Sequence, residues 1–231
     1  MSKCAVILAG GKGTRLKPFT ISIPKPLVPV GDKPILEHLI KKLADEGFTD
    51  IIITVNHLAE LIKAFFGDGS KWGISIKYSI EDKPLSTMGP IRLIDSLPED
   101  FLILNGDVLT NMNFNELFSF HTNKKSLFTI ASHLRKEKID YGVLEIDHEK
   151  LKIFNEKPEI EFRVSMGIYA ANRRILQYIP ENKSFGFDDL MLKLLSINEN
   201  VNVFTHDGYW LDIGRPDDYE KAINDFAEGI I

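Results

Sequence analysis

An apolar run, Cys4-Ala5-Val6-Ile7-Leu8-Ala9, breaks directly into Gly10-Gly11-Lys12-Gly13-Thr14-Arg15-Leu16. A buried strand that ends in a glycine-rich, cationic loop constrains the fold more than any other stretch of this chain. Glycines let the backbone turn sharply and bring N–H groups close to an anion. A second basic element, Pro24-Lys25-Pro26-Leu27, follows ten residues after Arg15. Arg15 and Lys25 are placed to neutralise charge that builds up in phosphoryl or nucleotidyl transfer. The loop is not a dinucleotide fingerprint, because that pattern needs glycine at its sixth position, where Leu16 stands if counting starts at Gly11. It is not a Walker loop either, since no Gly-x-x-x-x-Gly-Lys-Ser/Thr octet is present.

Downstream, apolar strands and helical patterns alternate. Strands are expected at Ala5 to Ala9, Ile51 to Val55, Ile74 to Ser79 and Phe101 to Leu104. Helices are expected from Pro34 to Glu46, His57 to Phe66 and Met88 to Leu97, with Gly47 closing the first. This alternation predicts a doubly wound, mostly parallel sheet, in which ligands lie beyond the carboxyl ends of strands. Gly10–Arg15 and Gly106-Asp107 both occupy such ends. The second half reads differently. Val143 to Ile146, Leu151 to Asn155 and Arg163 to Ala170 alternate as antiparallel strands expected on a second layer. Helices are expected near Asn172 to Tyr178 and Phe187 to Ser196, then a strand near Tyr209 to Ile213 and a helix from Pro216 to about Ala227. One mixed α/β domain over 1–231 is expected, the change of pattern dividing it into 1–110 and 111–231.

Asp107 and Asp212 each interrupt or follow an apolar run. A buried carboxylate is costly without a partner or a metal. Magnesium takes one or two carboxylates together with phosphate oxygens and water. The six histidines lie scattered, without metal spacing. A net charge of −5 gives no general affinity for nucleic acid. The lone Cys4 excludes an intramolecular disulfide, fits a reducing compartment and reads as a small buried hydrophobe. No apolar run approaches the roughly 20 residues that span a bilayer, so a soluble cytoplasmic protein, with no membrane partner, is expected. A homo-oligomer remains compatible with the sequence.

The strings LAGGKGTRLKPFT and PKPLVPVGDKPILEH resemble the opening signature of the sugar-1-phosphate nucleotidylyltransferases. The resemblance runs through nearly all 231 residues. It implies a three-layer α/β/α, GT-A-like fold with a mixed, mostly parallel central sheet, in which 1–110 is the nucleotide-binding half and 111–231 the sugar-phosphate-binding half. It implies transfer of a nucleotidyl group from a nucleoside triphosphate to a sugar 1-phosphate, with magnesium as cofactor, for nucleotide-sugar and polysaccharide synthesis. Asp107 and Asp212 fall on the family's metal positions. Leu8, Ala9, Gly10, Gly11, Gly13, Thr14, Arg15 and Lys25 fall on its triphosphate loop. Glu156-Lys157-Pro158 matches its E-K-P segment, where lysine binds the sugar phosphate and glutamate the sugar hydroxyls. Gly142 and Gly167 match glycines beside the sugar, and glycine inside a strand often marks close backbone approach. Phe187-Asp188-Asp189-Leu190 reads equally as a shaper of the sugar end and as a helix cap.

The run Glu81-Asp82-Lys83-Pro84-Leu85-Ser86-Thr87-Met88-Gly89 is similar to E-x-x-P-L-G-T-A-G in mannose- and heptose-1-phosphate guanylyltransferases. Glu81, Pro84, Thr87 and Gly89 are therefore expected around the base. Ser86 stands in for a glycine and Met88 for a small residue. The resemblance favours GTP, with UTP, CTP and dTTP open. A phosphocholine-type cytidylyltransferase and a non-catalytic nucleotide-sugar-binding relative are the remaining readings.

Overall fold

The computed structural model describes residues 3–230. In chain order the elements are β1 (Lys3–Leu8), β2 (Pro29–Val30), β3 (Lys33–Pro34), α1 (Ile35–Asp45), β4 (Phe48–Val55), α2 (Ala59–Phe66), β5 (Ser75–Ile80), β6 (Asp100–Asn105) and β7 (Val108–Thr110). There follow α3 (Phe114–Asn123), β8 (Phe128–Lys138), β9 (Gly142–Asp147), β10 (Lys150–Glu156), β11 (Glu159–Asn172), α4 (Phe187–Ser196), β12 (Val201–Thr205), β13 (Trp210–Asp212) and α5 (Pro216–Ala227).

Seven strands form one sheet in the order β12-β8-β11-β6-β1-β4-β5. The pairings β1–β4, β1–β6, β4–β5 and β8–β12 are parallel; β6–β11 and β8–β11 are antiparallel. β1 is buried between two parallel neighbours, which explains its continuous apolar run rather than an alternating one. On one face α1, α2 and α3 pack Leu39, Leu43, Ile62 and Leu117 around Phe48 and Phe114. On the other face Met88, Ile91, Ile175, Leu190 and Leu194 pack around Phe101 and Phe128. Each of these fully buried phenylalanines contributes roughly 1.5–3 kcal/mol. The three-layer mixed sheet agrees with the sequence reading.

Several expectations need correction. Arg163 to Ala170 does not lie on a second layer. It belongs to the long β11 of the central sheet, pairing Ile168–Asn172 with Leu104–Asp100 of β6. The reason is burial: Met166–Asn172 is covered on both faces, and only the outer part of β11 alternates freely. Val143 to Ile146 and Leu151 to Asn155 do form a separate antiparallel hairpin, β9–β10. The helix expected from Met88 to Leu97 is a short 3-10 turn over Gly89–Leu93. Met88 and Ile91, three residues apart, reach the core in one such turn, and the chain is extended again at Ile94. Asn172 to Tyr178 is likewise a 3-10 helix over Arg173–Tyr178, with the Asn172 side chain accepting from the Arg174 N–H.

Helix α3 and strands β8 and β12 were not anticipated. Beyond β6 the outer halves of β8 and β11 continue as a two-stranded ribbon that leads into β9–β10. Because β11 runs antiparallel to β6, this arm projects past the carboxyl edge of the parallel strands. Among the described residues no helix is long and apolar enough to cross a membrane.

Candidate active site

The carboxyl ends of β6, β1, β4 and β5 stand side by side, and a cavity of about 450 Å³ opens along them. Leu8, Gly10, Gly11, Lys12 and Arg15 line it from the end of β1. Asn105, Asp107 and Asp212 line one end; Glu81, Pro84, Leu85, Ser86, Thr87 and Pro90 line the other.

The glycine-rich loop is held from beneath. Gly13 takes a φ of 60°, and its carbonyl accepts from Thr20 Oγ1 at 2.7 Å and from the Leu16 N–H at 2.9 Å. Leu16 is fully buried in a small cluster with Val28, Ile35 and Ile213. Gly10, Gly11 and Lys12 therefore face the cavity, while Gly13, outside its lining, shapes the turn and Leu16 anchors it. Arg15 is exposed, and its guanidinium lies 3.6 Å from where a Cβ on Gly214 would stand. Lys25 sits in a 3-10 turn between two prolines and is only 9% exposed. Its ammonium donates to Asp107 Oδ2 in a part-buried ion pair.

Topology brings the two carboxylates together. β7 starts just after Asp107, and β13 pairs with it antiparallel so that Asp212 stands opposite Val108. The Ile213 N–H donates to the Asp107 carbonyl at 3.1 Å. Burial, then the neighbouring Asp107 charge, pushes the Asp212 carboxyl up to about 6, against the pull of Lys25 and Arg15. Asp107 Oδ1 is buried with no hydrogen-bond partner. An orphaned carboxylate oxygen beside a second desolvated carboxylate is what a hard divalent cation would satisfy. Among the described residues no cluster of three or more His, Cys, Asp or Glu side chains forms a fuller cage. Two carboxylates fit magnesium, which keeps water or phosphate oxygens in its remaining positions.

At the far end Glu81 is buried, and burial raises its carboxyl although its Oε2 accepts from the Leu85 N–H at 3.1 Å. Gly10 leaves room for this carboxyl: a Cβ on it would come within 2.4 Å of Glu81 Oε1 and displace it. The two departures from the guanylyltransferase pattern have structural explanations. Ser86 adopts a φ of 65°, the left-handed region that favours glycine. Met88 is fully buried in the core and does not line the cavity. Thr87 lines the cavity, but its Oγ1 also accepts from the Phe187 N–H at 2.8 Å.

Other sequence candidates fall elsewhere. Ala9 is buried, with its N–H donating to the Thr54 carbonyl. Gly89 faces Leu85 and the Lys183 carbonyl, and neither it nor Thr14 lines the cavity. Gly167 takes a φ of 71° at the irregularity in β11, where a Cβ would strike the Asn105 side chain. Gly142 and Glu156 pair across β9–β10, and Lys157, at a φ of 46°, follows directly. All three are exposed, and among the described residues no hydrogen bond or ion pair joins them to Arg15, Lys25, Asp107 or Asp212. Asp189 caps α4 by accepting from the Gly186 N–H at 2.8 Å, which settles its local role. Sequence reasoning missed Thr54 and Asn56, both in the cavity wall at the end of β4. Asn56 follows directly on the apolar strand, whereas Thr54 lies inside it and carries no sequence signal of its own.

Comparison with known proteins identifies relatives over nearly the whole chain. Residues 4–229 match the family described as Nucleotidyl transferase. The chain is 36% identical over 98% of its length to a probable mannose-1-phosphate guanylyltransferase 1 of Oryza sativa, and spans 65% of that protein. It is 35% identical over 93% of its length to a mannose-1-phosphate guanyltransferase of Debaryomyces hansenii, spanning 62% of it. A UTP–glucose-1-phosphate uridylyltransferase of Synechocystis is 33% identical over 95% of the chain, which covers 62% of that relative. The chain thus spans less than two thirds of the length of these relatives. Among solved structures, HddC from Yersinia pseudotuberculosis, complexed with GMP-PN, superposes with a TM-score of 0.75 at 29% identity, covering 97% of this chain and 99% of HddC. A putative glucose-1-phosphate thymidylyltransferase from Bacillus anthracis gives a TM-score of 0.76 at 25% identity, covering 96% of this chain and 94% of that one. With nearly every residue covered, the chain belongs to the nucleotidyl transferase family.

Proposed function

We propose that the chain transfers a nucleotidyl group from a nucleoside triphosphate, with GTP favoured, to a mannose- or heptose-type sugar 1-phosphate, releasing pyrophosphate. The observation that carries this reading is the Asp107–Asp212 carboxylate pair beside the glycine-rich loop, with Lys25 paired to one of them. The named guanylyltransferase relatives and the HddC complex with GMP-PN support GTP. Glu81 supports it too, because its carboxyl oxygens are acceptors for the N–H donors that guanine presents on its pairing edge.

The reaction asks for positioning and charge neutralisation rather than a protein nucleophile. The sugar-phosphate oxygen attacks the α-phosphorus and pyrophosphate departs. Backbone N–H groups of Gly10–Gly13, with Arg15 and Lys25, hold the triphosphate and the departing pyrophosphate. Lys157 holds the attacking phosphate with a compact ammonium, and Glu156 contacts sugar hydroxyls. The projecting arm is the element that presents both, so the second half of the chain supplies the sugar side. Asp107 and Asp212 would hold magnesium, and a bound magnesium ion would supply charge screening and polarisation of the reacting phosphoryl group.

Pyrophosphate release tests this directly. GTP, UTP, CTP, dTTP and ATP are each mixed with mannose-, glucose- or heptose-1-phosphate, or phosphocholine, in the presence of magnesium. Release with GTP and a sugar 1-phosphate is expected. Release with UTP and glucose 1-phosphate would move the base and sugar to those of the Synechocystis relative. Release with phosphocholine alone, or with none of these pairs, would contradict the reading.

A further inference from the structure

Among the described residues three buried side-chain polar atoms lack a hydrogen-bond partner: Thr54 Oγ1, Asp107 Oδ1 and His121 Nε2. Asp107 belongs to the carboxylate pair. His121 lies 3.4 Å from an Asp100 oxygen. Thr54 has nothing of either kind. It is 1% exposed, near the end of β4, and follows three isoleucines in a strand whose other late residues are apolar. Its backbone is tied to Leu8 and Ser79 on the neighbouring strands. Ile51, Ile53 and Val55 point to the α1 face, so Thr54 shares the opposite face with Ile52 and contributes to the cavity wall. An unpaired hydroxyl in such a strand costs stability where valine would not. A local choice that opposes folding is expected at functional positions.

We propose that the Thr54 hydroxyl hydrogen-bonds the nucleoside part of the bound nucleotide. This rests on the nucleotidyl-transfer reading of the same cavity. The strand order supplies the ruler. Along the carboxyl edge stand Asp107 after β6, Gly10–Arg15 after β1, Thr54 and Asn56 on β4, and Glu81 after β5. Adjacent strands lie about 4.8 Å apart, so the row from β6 to β5 covers about 14 Å. The carboxylates and the glycine-rich loop occupy the phosphate end. Thr54 stands one strand beyond that loop, under the sugar and base rather than the phosphates. A hydroxyl both donates and accepts. It therefore anchors the nucleoside without selecting among bases, a choice left to Glu81 and its neighbours.

The test compares the wild type with Thr54→Val and Thr54→Ser. Calorimetry measures binding of magnesium-GTP, magnesium-UTP and tripolyphosphate, and a thermal scan is run without ligand. Loss of one neutral hydrogen bond should weaken whichever nucleoside triphosphate the wild type binds by about five- to tenfold in Thr54→Val. Tripolyphosphate affinity should stay as in the wild type, the serine variant should keep nucleotide affinity, and the unliganded valine variant should melt no lower than the wild type. Three results would overturn the proposal: unchanged nucleotide binding in Thr54→Val, an equal loss for tripolyphosphate, or a lower unliganded melting temperature. Failure of the wild type to bind any nucleotide would instead overturn the nucleotidyl-transfer reading, and this inference with it.

Discussion

At Gly13 one residue's backbone sets the geometry of the anion loop. Its φ of 60° is left-handed, and an added Cβ would sit 3.0 Å from both Lys25 Cβ and Thr20 Cγ2. A side chain there meets strain and displaces the lysine that pairs with Asp107. Gly13→Ala should cost about 1–2 kcal/mol of folding stability, read by urea denaturation, and should lower the kcat/KM of pyrophosphate release. An alanine variant with wild-type stability and turnover would refute this account of the loop. Arg15, Lys25, Asp107 and Asp212 were legible in the sequence because each sits in a short motif of glycines, prolines or acids that a core has no use for. Thr54 and Asn56 were not, because β4 reads as an apolar strand, and only the neighbouring strands show where it ends. Ala9 and Gly89 share motifs with cavity residues yet serve packing, a distinction that needs the third dimension.

Among the elements, the β7–β13 pair has the largest consequence for chemistry. It is only three residues long on each side, yet it joins carboxylates 105 positions apart in the sequence to one site. Strand β1 and helix α1 were legible from apolar periodicity and from Gly47, whose N–H donates to the Ala44 carbonyl past the helix end. Helix α3 was missed, although Asn113 followed by Glu116 carries an N-terminal signal. The Asn113 Oδ1 accepts from the Asn115 N–H at 2.9 Å and the Glu116 N–H at 3.2 Å. Strands β8 and β12 were missed because β8 changes from buried to charged halfway along, and no single period describes it. Helix α3 also delivers His121 into the core beside Thr129 Oγ1 at 2.8 Å. Burial lowers its pKa below the ordinary histidine value, with Asp100 partly opposing. The unfolded chain then binds the proton more readily than the folded one. Stability present at pH 7 is therefore lost as pH falls through about 6.5 towards the depressed value. Between pH 7 and 5.5 the wild-type melting temperature should fall further than that of His121→Gln. His121→Gln should shrink that loss, leaving the loss owed to the less buried His206, shifted the same way, set against the gain owed to Asp212, which takes up a proton on folding as pH falls through about 6. A variant with the same slope as the wild type would contradict this.

For the whole molecule, the sheet divides the work. Four adjacent strand ends, β6 to β5, build the cavity, while the outer halves of β8 and β11 carry the hairpin past that edge. The arm exposes Tyr141, Leu144, Ile146, Leu151 and Phe154 along with Glu156 and Lys157. An isolated two-stranded hairpin is marginally stable in water. Substrate contact through Glu156 and Lys157 would therefore order the arm as well as position the acceptor. The overall architecture was legible because strand and helix periods alternate through the first half. The arm was not, because its exposed apolar residues imitate a buried second layer.

The central claim is that Asp107 and Asp212 act together as the magnesium site for nucleotidyl transfer. The most direct test is a magnesium titration of pyrophosphate release, with GTP and mannose 1-phosphate, for the wild type, Asp107→Asn and Asp212→Asn. The account predicts saturable magnesium dependence in the wild type. It predicts a fall of about 100-fold or more in kcat for each variant, the scale of several kcal/mol of lost charge stabilisation. Either variant turning over near the wild-type rate, with the same magnesium dependence, would contradict it.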